Sequence, residues 1–321
     1  MVGSEEYFPI LWGGDSWTVY QNCSGAAIAL SSNTSCSVSH VCVTGGCNTS
    51  LSGGAVRVTC GCLTANDSVF ECNCSCQCGG GIYACGSGTC VTVGNSCIYC
   101  NCASCHGGGV FADSQACVTI SNSHIDGNCV TGCGGAATIC NNATGIFCCD
   151  TIANNHATGY AGGIMAHCNG VVYIIGTTIC GNCGRYGGGL FAENSSCTII
   201  CDSNFFGNCA TTCGGAIYVS GGCLIFCGTV CIYGNCGNCP GIHLNSSNAC
   251  AIVYGTVYDW DGVTGCDNWY CYNSGYVCNM NALPDEPSEP DEPDEDNDEG
   301  DEPEEPEEPD EPGEETGESH D

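Results

Sequence analysis

A glycine-rich turn followed by an apolar residue recurs along most of this chain, and its period leaves few folds open. The motif reads SGAAI, SGGAV, CGGGI, GGGV, CGGAA, AGGI, YGGGL, CGGAI and PGI. The residues after the glycines are Ile28, Val56, Ile82, Val110, Ala137, Ile164, Leu190, Ile217 and Ile242, spaced by 28, 26, 28, 27, 27, 26, 27 and 25. Nine units of about 27 residues mark a chain that stacks copies of one small element. A second marker keeps the same beat: an apolar residue, two others, then asparagine. It occurs at Phe70–Asn73, Ile98–Asn101, Ile125–Asn128, Ile152–Asn155, Ile179–Asn182, Phe205–Asn208 and Ile232–Asn235. Val19–Asn22 reads as the first copy, and Gly46 replaces the asparagine of the second.

Between the markers lie short segments such as GIYACG, CVTVGNS, VTISNS and AIYVSG. Their β-branched residues, alternating polarity and Gly, Asn and Ser boundaries predict strands of about three to six residues and no helix. Each strand would pair in parallel with its counterpart one unit on. The expected fold is therefore all-β, a single-stranded parallel β-helix rising roughly 40 Å over its coils at ~4.8 Å per strand. Asn73, Asn101, Asn128, Asn155, Asn182, Asn208 and Asn235 are expected in a turn. Asparagine tolerates left-handed backbone there, and its amide can bond along the stack.

Phe205 to Val219, FFGNCATTCGGAIYV, resembles the repeats of chlamydial polymorphic outer membrane proteins and related surface β-helices. Phe70-Glu71-Cys72-Asn73 with Gly79-Gly80-Gly81-Ile82 is the next such match, and the resemblance spans about residues 19–245. It implies a right-handed parallel β-helix on a cell surface, acting as adhesin or passenger domain. Its partners would be host or neighbouring cell-surface components, or further copies of itself. Residues 1–18 and 246–280 break the repeat and are expected to cap it. Residues 281–321 hold 22 of the 35 acidic residues and 8 of the 10 prolines, the composition of a disordered spacer.

The formal net charge is -33, with no lysine and only Arg57 and Arg185 as strong bases. Such a chain cannot neutralise phosphates, so nucleic acid is excluded as a partner. No apolar run is long enough for a transmembrane segment. The N-terminal MVGSEEYFPILWGG lacks the positive charge of a signal peptide. The 38 cysteines nevertheless point to an oxidising extracellular or cell-surface setting.

The cysteines follow the repeat. One column, after the second marker, runs through Cys23, Cys47, Cys74, Cys102, Cys129, His156, Cys183, Cys209 and Cys236. A second precedes the glycines at Cys78, Cys105, Cys133, Cys213 and Cys239, and a third precedes a strand at Cys36, Cys90, Cys117, Cys197, Cys223 and Cys250. Their Asn, Gly, Ser and Thr neighbours make these outward or turn positions. Equivalent Cα atoms ~4.8 Å apart fall within the range a disulfide accepts, so neighbouring coils can be stapled. Reduced, the thiols Cys74, Cys102, Cys129, Cys183, Cys209 and Cys236 can hold a soft metal such as Zn or Cu(I), or stay idle. No other cofactor is expected.

The competing class is a polysaccharide-active enzyme, a chemistry that parallel β-helices host. Arg57 and Arg185 lie five units apart and cannot share a site. Asp113, Asp126, Asp150, Glu193 and Asp202 read as scattered through different phases of the coil, short of the carboxylate pair that a glycosidase needs. Asp259 and Asp261 share one strand face and read as a solvated cap. The sequence thus predicts a non-enzymatic structural or adhesive rod, with a cysteine-displaying scaffold as the alternative.

Overall fold

In a computed structural model, the described residues are 17–265 with strands Trp269–Cys271 and Tyr276–Asn279, and they form a parallel β-solenoid without helix. One coil illustrates the rest. Ile82–Cys85 forms the first face, Cys90–Gly94 the second, Cys97–Tyr99 the third and Cys102–Ala103 a short fourth. These faces stack into sheets of 10, 10, 11 and 7 strands. Each strand pairs in parallel with its counterpart one coil on, Ile82 with Val110, Val91 with Val118, and Ile98 with Ile125. The stack does not end with the last glycine marker, because Cys250–Val253, Thr256–Asp259 and Val263–Gly265 also join it. Residues 1–16 and the acidic segment 281–321 lie outside the described residues.

Alternation fills the interior. Ile82, Val110, Ala137, Ile164, Leu190, Ile217 and Ile242 are fully buried in one column. Phe70, Ile98, Ile125, Ile152, Ile179, Phe205 and Ile232 form another on the third face. Burying one such aliphatic or aromatic side chain stabilises by roughly 1.5–3 kcal/mol. The glycine marker has two separate causes. Gly79 adopts left-handed backbone with φ of 67°. A Cβ on Gly80 would strike the carbonyl oxygens of Cys102 and Gly108 in the next coil. The first glycine makes the turn and the second lets coils approach.

Asn73, Asn101, Asn128, Asn155, Asn182 and Asn208 are fully buried, and Asn235 is 8% exposed. The Oδ1 of Asn128 accepts from the backbone N–H of Asn101 at 2.9 Å and from its side-chain amide at 3.0 Å. The same pair of bonds joins Asn128 to Asn155 and Asn155 to Asn182. Each amide also donates to a carbonyl one coil back, as Asn101 does to Phe70 at 2.9 Å. Among the described residues the last acceptor is Asp261, whose Oδ2 takes both donors of Asn235 at 2.9 and 2.7 Å. Left-handed backbone falls not on these asparagines but on the residue before them: Cys72, Cys100, Gly127, Asn154 and Gly181. That residue makes the bend, so the asparagine keeps ordinary backbone and turns inward. Asn22 stands outside the ladder, because Tyr20 rather than Val19 pairs with Val43 and places Cys23 at the ladder position.

A second polar ladder joins the second and third faces. The backbone N–H of Ser68 donates to Ser96 Oγ, Ser96 to Ser123 Oγ, Ser123 to Asp150 Oδ1 and Asp150 to Thr177 Oγ1, at 3.0, 3.0, 2.8 and 3.2 Å. A hydroxyl completes this bond, so Asp150 carries a superfluous oxygen. It is 3% exposed, and its Oδ2 has no hydrogen-bond partner. Burial pushes its carboxyl from 3.8 up to about 7. The folded state thus holds a proton that the unfolded state releases, and stability is lost as pH rises from about 4 to about 7. Asp150→Ser is expected to gain about 2–4 kcal/mol at pH 8 and little at pH 4. Urea unfolding at both values checks this; an equal gain at both would refute it.

Candidate functional site

From Cys47 onward the first cysteine column is in register, while Cys23 stands one residue off it, level with Gly46. Cys47 pairs with Cys74, Cys74 with Cys102, Cys102 with Cys129, Cys129 with His156, His156 with Cys183 and Cys183 with Cys209. The second column differs by one member, since His106 and not Cys105 stands opposite Cys133. In the third, Cys62 and not Cys36 faces Cys90, while Cys36 pairs with Leu63 and packs on the core. Unit lengths vary by a residue or two, and a slip of one residue in a strand reverses the facing of a side chain.

Three disulfides join neighbouring coils: Cys201–Cys227, Cys209–Cys236 and Cys213–Cys239, with Cα–Cα separations of 4.6, 4.5 and 4.6 Å. Of the first column only Cys209 and Cys236 are joined. Cys74, Cys102, Cys129 and Cys183 remain thiols. Burial, and then a neighbouring thiol of the column, pushes both Cys74 and Cys102 up to about 11. Ligand atoms suited to a metal converge at Cys213, Cys239 and His243, all within 4.8 Å of one another. Thr264 Oγ1 lies 2.9 Å from His243 Nδ1, which leaves Nε2 for a ligand, and Tyr218 stacks on the ring at 5.1 Å. Because Cys213 and Cys239 share a disulfide, only the reduced pair can act as thiolates.

The carboxylates are arranged differently from the expectation. Asp259 is no solvated cap: it is fully buried and accepts from the N–H groups of Asp261 and Gly262 at 3.0 and 2.9 Å. Burial lifts its carboxyl to about 6. Asp261 terminates the asparagine ladder, so both serve the fold. Asp113 and Glu193 do share a phase. Each is the last residue of its first-face strand, Val110–Asp113 and Leu190–Glu193, level with Cys140 and His167, as the successive pairs Ala112–Ile139, Ile139–Ala166 and Ala166–Ala192 require.

Cys140, His167 and Glu193 of that column wall a cleft of ≈ 320 Å³ on the outer side of the first face, with His106, Phe111, Cys133, Tyr160 and Met165 along its other walls. The outward residues Phe111, Thr138, Met165, Phe191 and Tyr218 are almost fully buried. Aromatic rings cover them, Tyr160 on Phe191 at 4.8 Å and Phe191 on Tyr218 at 5.3 Å. Cys140 bonds Asp113 Oδ1 at 3.5 Å, and burial with that carboxylate holds its thiol well above the usual range. Burial and then Glu193 also raise Cys133, while burial and then His167 lower His106. One thiol stands apart. Cys168 Sγ lies 2.9 Å from His167 Nε2, and His167 Nδ1 lies 2.8 Å from Glu193 Oε1. Sequence reasoning missed this group, although the three-residue offset of Asp113 and Glu193 from Val110 and Leu190 was available to find it. No family model, curated protein or solved structure matches the chain.

Proposed function

We propose that this chain is a structural and adhesive rod of the cell surface, stiffened by disulfides between successive coils. The carrying observation is that all three disulfides of the described residues join a cysteine to its counterpart one coil on. The repeats' resemblance to chlamydial surface β-helices supports the adhesive setting, with host or neighbouring surface components or further copies of the chain as partners. Non-reducing peptide mapping of the secreted protein is the test. Cross-links are expected only between in-register cysteines of adjacent coils, as in these three. Links between unrelated columns, or a full complement of free thiols, would overturn the reading. Cys102→Ser should change stability by under about 0.5 kcal/mol, since that exposed thiol is in no disulfide. A soft-metal scaffold is favoured by one observation alone, the convergence of Cys213, Cys239 and His243. The same preparation, reduced and titrated with zinc, would then lose one bound ion on His243→Ala.

A further inference from the structure

Cys168 does not fit the stapling pattern. It lies two residues beyond Ala166, which pairs with Ile139 and Ala192, so Asn141 and Asn194 occupy its position in the neighbouring coils. Instead of an in-register thiol it has an imidazole, at 2.9 Å. Behind that imidazole stand the Glu193 carboxylate at 2.8 Å and the Asn194 amide at 3.2 Å, both at Nδ1. An Nδ1–H donated to Glu193 fixes the tautomer and leaves the Nε2 lone pair on the thiol. Asn194 Nδ2 is the atom that stands at Nδ1, and this tautomer requires the amide to be flipped so that its oxygen faces the ring N–H. Cys168 and the following Asn169 are both left-handed, with φ of 45° and 61°. The side chains of His167 and Glu193 are 33% and 19% exposed, so base and orienting carboxylate are sheltered yet reachable. Both line the ≈ 320 Å³ cleft, beside Phe111, Tyr160 and Met165.

We propose that Cys168, His167 and Glu193 form a thiol–imidazole–carboxylate site for acyl transfer, taking a neutral ester whose apolar or aromatic acyl group occupies the first-face cleft. Nucleophile, base and orienting group stand in the required order and contact. The cleft supplies apolar walls for the acyl chain, and a formal charge of -33 repels anionic esters. In the first step His167 Nε2 takes the thiol proton while Cys168 Sγ bonds to the acyl carbon. The ester carbon–oxygen bond breaks, and the alcohol leaves with the proton returned from Nε2. Water, giving a proton to Nε2, then attacks the thioester carbon. The carbon–sulfur bond breaks, the thiol regains that proton, and a carboxylic acid is released. Glu193 touches only the imidazole and is a positioning residue. The site is independent of the rod reading, since either can hold without the other.

The many other thiols make the test internally controlled. Full-length protein, not reduced, is treated with limiting isotope-coded iodoacetamide, and the rate at each cysteine is read by peptide mass spectrometry. Cys168 is expected to react at least about tenfold faster than the exposed Cys60, Cys76 and Cys100. His167→Asn should remove that excess and Glu193→Gln reduce it severalfold, with the three reference rates unchanged. Those references also report whether each variant is folded, and Glu193→Gln suffices if His167→Asn is not. With 4-nitrophenyl acetate, an acetyl adduct should accumulate on Cys168 and vanish in Cys168→Ser. A Cys168 rate within twofold of the reference thiols, no effect of either folded variant, or Cys168 found in a disulfide would each overturn the proposal.

Discussion

Replacing Ile164 by aspartate is expected to abolish the cooperative unfolding transition of the solenoid, or to lower its stability by more than about 4 kcal/mol. Ile164 is fully buried and sits directly between Ala137 and Leu190 in the first-face column. A carboxylate there has no cation within reach and faces apolar neighbours above and below. It must either remain ionised in a dry interior or hold a proton far above its usual range. Tyr173 in the same coil is the control, because its side chain is 36% exposed on the second face. Tyr173→Asp should shift stability by under about 1 kcal/mol. Urea denaturation followed by circular dichroism separates the two, and equal tolerance of both changes would contradict the burial of the column.

The second large effect is expected at Asn155. Alanine there removes the acceptor for two buried donors of Asn128 and the amide that satisfies the Ile125 carbonyl. Each buried group left without a partner costs about 1–3 kcal/mol, so the loss should be roughly 3–6 kcal/mol. Asn245→Ala, at an exposed position, should shift stability by under about 0.5 kcal/mol. Hydrogen exchange gives a sharper reading. The Asn128 and Asn101 amides should lose protection in Asn155→Ala, while coils near Asn235 keep theirs, because each coil bonds mainly to its immediate neighbours. Uniform protection across the ladder would argue against local coupling.

Fold class could be read from the chain because two independent markers, the glycines and the asparagines, each answer a backbone requirement that recurs in every coil. Gly80 must admit the next coil and Asn128 must bond it, so neither varies freely. The serine ladder escaped notice because its sole demand is an acceptor oxygen. Ser96, Ser123, Asp150 and Thr177 all meet that demand, and no single letter repeats. Spacing places the cysteine columns correctly where it is constant, and one residue off at Cys23, Cys105 and Cys36, where local unit length changes. The cleft was hidden for a different reason. Met165, Phe191 and Tyr218 occupy outward positions that alternation assigns to solvent, and only the rings folded over them make that surface an interior. His167, Cys168 and Glu193 come together through two adjacent coils, a distance of 26 residues that no local motif records.

The asparagine ladder is a head-to-tail polymer of amides, and like any such polymer it has two unlike ends. Every link runs the same way, with each asparagine donating towards the C-terminal side and accepting from the N-terminal side. The first end is quiet: Gly46 gives Asn73 one backbone donor and has no side chain that needs an acceptor of its own. The growing end is always hungry, because its last asparagine holds two donors that only the next coil can accept. A chain made from its N-terminus therefore carries its unsatisfied edge forward, and each new coil is recruited by the one before it. Asp261 closes the series. Its carboxylate takes both donors of Asn235 and has none to pass on, and its own backbone N–H is already turned to Asp259. One residue without a side-chain amide thus ends the ladder among the described residues, although Val263–Gly265, Trp269–Cys271 and Tyr276–Asn279 still join the stack beyond it.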